Sequence, residues 1–229
     1  MSPLEIGSAL ASLVVIDLVL SGDNALVIGM AAHRLPPRQR RTAIVLGGVG
    51  AVGLRALLSA VTTLLLLIPA LKLVGGGLLA WIAFKLLKQD EEASEGVAAG
   101  ANLWDALRTI IAADFIMSLD NVLAIGGAAH GNVPLLVIGL ALSMPLVLFS
   151  GGVFAELINR FGWLAYVGAA VIAYTAGQLL VEDPIVHGLL EHLPFLQFVV
   201  PPLVVALVLP SAYWFHRRRV SRPSLERTG

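Results

Sequence analysis

A pair of near-identical segments constrains this chain more than any other feature. DLVLSGDNALVIGMAAH at 17–33 returns as DFIMSLDNVLAIGGAAH at 114–130, and ten of the seventeen aligned positions are identical. The shared polar residues are Asp17/Asp114, Ser21/Ser118, Asp23/Asp120, Asn24/Asn121 and His33/His130. The residues between them are apolar. Such segments belong in lipid, where a charged side chain at the helix centre costs at least ~2.5–3.5 kcal/mol. Bearing that cost twice, at one spacing, points to function rather than to a helix-packing device.

Composition agrees with a membrane setting. Of 229 residues, 58% are hydrophobic and 13% charged, and the mean hydropathy is +0.88. Soluble domains carry about 25% charged residues. The expected fold is therefore all-α, a polytopic membrane protein with the lipid bilayer as its first partner. A formal net charge of zero gives no basis for nucleic-acid binding. The absence of cysteine removes disulfides, thiolate metal sites and thiol catalysis together. The first ten residues, MSPLEIGSAL, hold Glu5 and no Lys or Arg. That is unlike a cleavable signal peptide, so the first apolar segment is expected to be retained.

A span needs about 20 mainly apolar residues. Seven segments qualify, at about 6–32, 42–67, 69–87, 104–129, 133–157, 163–181 and 195–215. Pro36-Pro37 stops the first. QDEEASEGVAAGAN, 89–102, reads as a solvated connector, and HRRRVSRPSLERTG, 216–229, as a disordered basic tail. The duplication extends to the third segments, LKLVGGGLLAWIAFKLL (71–87) and LAYVGAAVIAYTAGQLL (164–180). The chain then divides into two three-helix units, 1–100 and 101–194, and a seventh helix with its tail, 195–229. Units of three helices enter the membrane from opposite sides, so the repeats are expected to be inverted, as in many secondary transporters. With the N-terminus outside, thirteen Lys and Arg residues fall on the inner side. Lys72 alone falls on the outer side, and Arg55 lies within the second helix. This bias orients the chain N-terminus out, C-terminus in.

On a helix turning 100° per residue, Ser21 lies about 40° from Asp17 and Asn24 about 20° to the other side. Asp114, Ser118 and Asn121 repeat this oxygen-bearing stripe. Asp23 and Asp120 fall about 120° away and join it only where the helix loosens. Gly22 eases such a break and Leu119 hinders it; distortion is expected at 20–24 and 117–121. Carboxylate, carboxamide, hydroxyl and carbonyl oxygens suit Mg²⁺, Ca²⁺ or Mn²⁺. The candidate metal ligands are Asp17, Asp23, Asn24, Asp114, Asp120 and Asn121, with Ser21, Ser118 and Arg55 as auxiliaries. Four acids against one Arg55 leave negative charge that a divalent cation or protons must balance, so protons are candidate exchange partners. Arg55 reads equally as a structural counter-ion or as a gate. Gly47, Gly48, Gly50 and Gly53 read as a close-packing face of the second helix. For His33 and His130 an interfacial helix-end role is favoured over a relay. Met117 and Met144 read as ordinary apolar residues, and Trp81, Trp104, Trp163 and Trp214 as interfacial belt residues. Glu182, Asp183, His187, Glu191 and His192 read as a solvated outer loop.

With its duplicated D-x-x-x-S-x-D-N motifs, SGDNALVIGMAAH and SLDNVLAIGGAAH, the chain resembles the TerC family of integral membrane proteins, in its compact YjbE-type branch. The likeness covers residues 1 to about 215. It implies a seven-helix fold similar to the LysE-type exporter superfamily, export of Mn²⁺ across a bacterial plasma membrane, and motif acids at Asp17, Asp23, Asp114 and Asp120. The expected protein is a transporter and not an enzyme. It has no resident cofactor, Mn²⁺ as cargo with Ca²⁺ and Mg²⁺ as alternatives, and a homo-oligomer as an open option. Two rival readings remain: an exporter of a cationic amino acid or other small metabolite, and an intramembrane aspartyl protease built on Ser21-Gly22-Asp23.

Overall fold

The computed structural model describes residues 3–65, 68, 70–94, 102–128, 133–190 and 195–220. Among the described residues the regular structure is entirely helical: α1 (Pro3–Leu20), α2 (Gly22–Ala32), α3 (Pro37–Leu65), α4 (Leu71–Ser94), α5 (Leu103–Ala128), α6 (Val133–Arg160), α7 (Trp163–Val181), α8 (Pro184–Leu190) and α9 (Leu196–Val220). His130, the end of the linker at 95–101 and the tail at 221–229 lie outside the described residues.

The first motif breaks its helix. α1 and α2 meet at Ser21 with a bend of 52°. Ser21 sits at φ −104°, ψ 9°, in the sparsely populated bridge region. Gly22 follows it and lacks the Cβ that would resist the departure. The second motif shows no such break, contrary to expectation, since α5 runs unbroken from Leu103 to Ala128. Its Leu119, in the place of Gly22, is buried, and a continuous helix keeps that side chain packed.

Two other boundaries differ from the sequence reading. α4 continues to Ser94, so the start of the supposed connector is helical. Gln89, Asp90, Glu91 and Glu92 include no helix breaker, and Asp90 is anchored by His33. The supposed solvated outer loop contains α8 and the fully buried Asp183. Asp183 Oδ1 accepts from Ile185 N–H at 3.0 Å, and its Oδ2 accepts from Leu73 N–H in the first turn of α4 at 3.0 Å. One carboxylate thus serves the N-termini of two helices. Pro184 follows it at the first helical position, where proline is favoured.

Among the described residues, three helical stretches are long and apolar enough to cross a membrane: Pro37–Leu58, Val137–Arg160 and Trp163–Val181. The bent α1–α2 pair, taken as one span, makes a fourth. The apolar stretch of α4 is interrupted by Lys72, Lys85 and Lys88.

α3 packs on α5, α1 and α2 pack on α6, and α4 packs on α7, with α9 against both of the last two. α2 also meets α5 and α7, α4 meets α5, and α3 meets α6. The inner face of α7 is made of small residues, with Ala165, Ala169, Ala173 and Ala176 fully buried against α4 and α9. α3 approaches its neighbours at Gly47 and Gly48, where an added Cβ would press on Ile110 and Leu148. Gly53, expected on the same face, borders open space and belongs to another side of the helix. Val19, Leu57, Phe149 and Phe198 are exposed, as are the four tryptophans Trp81, Trp104, Trp163 and Trp214. An apolar exterior of this kind fits lipid.

Candidate functional site: a buried charge cluster shared by both motifs

The first oxygen stripe, which spans the bend at Ser21, faces the corresponding stripe of α5 across the Arg55 guanidinium. Asp17, Ser21, Asn24, Asp114 and Ser118 are all buried. Between the two stripes lies Arg55 from the middle of α3, itself 4% exposed. Its Nη1 pairs with Asp17 Oδ1 and donates to Ser21 Oγ at 3.0 Å. Its Nη2 reaches Asp114 Oδ1 at 3.0 Å, and its Nε donates to Ser118 Oγ at 3.1 Å. The planar fork of the guanidinium suits such a task, because it presents several donors in fixed directions.

The two motifs use the same local device. Ser21 Oγ donates to Asp17 Oδ1 at 3.3 Å, and Ser118 Oγ donates to Asp114 Oδ2 at 3.3 Å. Each pair is four residues apart, one helical turn, so each carboxylate meets its hydroxyl on one face. Ser21 stands at the N-cap of α2, yet its side chain makes no capping bond, because its hydroxyl is committed to the cluster. Asp17 gains a further partner that the sequence did not flag: Ser143 of α6 donates its one hydroxyl proton to Asp17 Oδ2, with the Leu140 carbonyl as the alternative acceptor at 3.1 Å. A serine within an apolar helix was the available signal for that residue.

Asn24 completes the stripe differently. Its side chain is buried, and among the described residues neither its Nδ2 nor its Oδ1 has a hydrogen-bond partner. It faces a cavity of about 10 Å³ that is also lined by Asp17, Ser21, Arg55, Asp114 and Met144. That is space for about one water. A buried carboxamide with both ends unmet is rare and costly in a folded protein.

The structure does not bring every proposed ligand to this cluster. Asp23, expected to join once the helix broke, accepts from Asn24 N–H at 2.9 Å and from Thr175 of α7 at 3.3 Å. It stays on the α7 side because the bend pivots at Ser21 and leaves Asp23 in the first turn of α2, about 120° from the stripe. The side chains of Asp120 and Asn121 lie outside the described residues. Among the described residues, no group of three His, Cys, Asp or Glu side chains is placed to share a metal ion. Asp17 and Asp114 bind a guanidinium instead.

His33 is more than a helix-end residue. Its Nδ1 is 2.8 Å from the Met30 carbonyl and its Nε2 is 2.7 Å from Asp90 Oδ1. Both ring nitrogens therefore face acceptor oxygens, which needs a proton on each nitrogen or one on Asp90. The backbone carbonyl of His33 accepts from Arg40 Nη2 at 3.0 Å and from Asn159 at 3.1 Å. The end of α2 is thereby tied to α3, α4 and α6.

A helical membrane protein with a buried charge cluster assembled from two copies of one motif is the class these observations define. Within that class, the chain belongs to the TerC family: residues 2–220 match the family described as "Integral membrane protein TerC family". It is 36% identical over 209 residues to the uncharacterized membrane protein YjbE of Bacillus subtilis (strain 168), covering 91% of this chain and 95% of that one. It is 27% identical over 209 residues to the uncharacterized membrane protein YceF of the same strain, covering 87% of this chain and 80% of that one. The UPF0053 inner membrane protein YoaE of Escherichia coli (strain K12) is 26% identical over 197 residues, covering 74% of this chain but 38% of its own length. No solved structure matches.

Proposed function

We propose that this protein is a transporter that exports a divalent metal ion, most readily Mn²⁺, by alternating access. The observation that carries this reading is the meeting of Asp17 and Asp114, corresponding residues of two repeats, in a buried cavity beside the unpartnered Asn24 amide. Carboxylate and carboxamide oxygens from two elements are hard ligands suited to such an ion. Asp23, and through the repeat Asp120 and Asn121, would supply further oxygens along the path. Exchange against protons is the proposed drive, since ligating carboxylates must be deprotonated.

The proposed architecture has seven spans, two inverted three-helix repeats and a seventh helix, placed N-terminus out in a bacterial inner membrane. The packing supports the division into two related three-helix units. Exchanging the repeats carries α3-on-α5 into α6-on-α1/α2 and α4-on-α5 into α7-on-α2, while α3-on-α6 and α4-on-α7 map to themselves. The inner-membrane placement also draws on the name of the relative YoaE.

Export of a cationic amino acid has one specific observation in its favour: the two acids already hold a guanidinium. An aspartyl protease needs two acids sharing a proton. A guanidinium between Asp17 and Asp114 favours charge pairing over such a dyad. Influx of Mn²⁺ into proteoliposomes, with arginine and lysine as competitors, separates the readings. Mn²⁺ flux that ignores both amino acids supports the metal reading. Amino-acid flux without Mn²⁺ flux would replace it.

A further inference from the structure

We propose that Arg55 is a tethered cation that trades places with the transported ion on Asp17 and Asp114. The inference rests on the metal-transport reading and adds what fills the site between cargo ions.

Four features lead to it. The first is identity of ligands. The Arg55 guanidinium occupies one oxygen of each carboxylate and both motif hydroxyls, the groups a cation entering here would need. The second is room. About 10 Å³ remains beside the guanidinium, which is too little for a divalent ion with its waters. The third is charge. Among the described residues, two carboxylates face the one guanidinium and leave one negative charge in excess, whereas a divalent ion on the same two carboxylates leaves none. A guanidinium and a divalent ion held together would repel strongly in so buried a place. The fourth is Asn24, whose amide faces the cavity with both ends unmet and offers an oxygen that the guanidinium does not use.

These features describe two exclusive arrangements on one set of oxygens. In one, Arg55 bridges the motifs. In the other, the ion bridges them, Asn24 contributes its oxygen, and the guanidinium withdraws along its flexible stem. Such an exchange keeps two buried acids from facing one another uncompensated when cargo leaves, a situation of high energetic cost. It also sets selectivity, because an ion must outcompete an internal guanidinium of very high local concentration.

The test measures Mn²⁺ binding to purified protein in nanodiscs and Mn²⁺ flux in proteoliposomes, for wild type, Arg55→Gln, Arg55→Lys, Asp17→Asn and Asp114→Asn. With the internal competitor gone, Arg55→Gln is expected to bind Mn²⁺ about tenfold more tightly, and yet to transport it more slowly, since nothing displaces the ion. Arg55→Lys keeps the charge without the fork and should fall between Arg55→Gln and wild type in affinity. Unchanged or weaker Mn²⁺ affinity in Arg55→Gln, with binding lost in the two Asp variants, would overturn the exchange and leave the metal site in place. No Mn²⁺ binding by wild type or Arg55→Gln, with flux indifferent to the Asp variants, would overturn the metal reading and the exchange together. If Arg55→Gln does not fold, Arg55→Lys decides: affinity no tighter than wild type would overturn the proposal.

Discussion

Removing Arg55 should destabilise the protein far more than removing either of its acids. The carboxylates of Asp17 and Asp114 are 4% and 8% exposed, so neither can turn to solvent for compensation. Arg55→Gln leaves both without a cation, and breaking a buried pair in this way costs about 3–5 kcal/mol. Asp114→Asn leaves the guanidinium paired with Asp17 and removes one charge-assisted hydrogen bond, worth about 1.5–3 kcal/mol. Proteins are stable by only about 5–15 kcal/mol, so the two variants should be well separated. Unfolding in mixed micelles of a mild detergent and dodecyl sulfate, with chelator present, measures the difference. Combining the substitutions should recover part of the Arg55→Gln loss, because one uncompensated acid is removed with the cation. Mn²⁺ added to Arg55→Gln should restore stability by mass action. Equal losses in the two single variants, or an Arg55→Gln variant within about 0.5 kcal/mol of wild type, would refute the view that Arg55 is the cation that compensates both acids.

Further expectations concern the surroundings of the site. His33→Gln and Asp90→Asn should show a coupling of about 0.5–3 kcal/mol in a double-mutant cycle, since they share one short bond between α2 and α4; additive losses would mean the contact is idle. Asp183→Ala should cost about 0.5–2 kcal/mol as a lost cap, and hydrogen exchange should quicken at Leu73 and Ile185, whose N–H groups it accepts. The chain has no cysteine, so single cysteines at Arg38 and Ile185 give clean topology probes. Labelling of Ile185→Cys alone from outside is expected; labelling of Arg38→Cys alone would reverse the proposed orientation, and external labelling of both would contradict it.

Much of the site was legible because it is local and repeated. The turn of 100° per residue placed Asp17, Ser21 and Asn24 on one stripe and Asp23 off it, and the structure keeps Asp23 apart even though the helix bends. Gly22 marked the bend, and Leu119 opposes one in α5. Arg55 was conspicuous as a charge within an apolar helix, but its partners were not. Bridging two acids 38 and 59 residues away depends on how α3 packs on α5 and on the motif helices, which no local pattern encodes. Ser143 was hidden for the same reason, since it meets Asp17 across 126 residues. Asp90 and Asp183 sat in polar stretches where acids are expected to face water. Their roles come from α4 running longer than its apolar core and from an Asp-Pro pair that starts α8.

The most direct test of the central claim is Mn²⁺ flux into proteoliposomes carrying wild type, Asp17→Asn or Asp114→Asn, with and without a pH gradient. Asparagine keeps the shape of each side chain and removes one charge from the pair. Mn²⁺ flux by wild type should fall when the gradient is collapsed, and each variant, still folded, should show flux at the level of empty liposomes. Folded variants that carry Mn²⁺ as fast as wild type would contradict the claim.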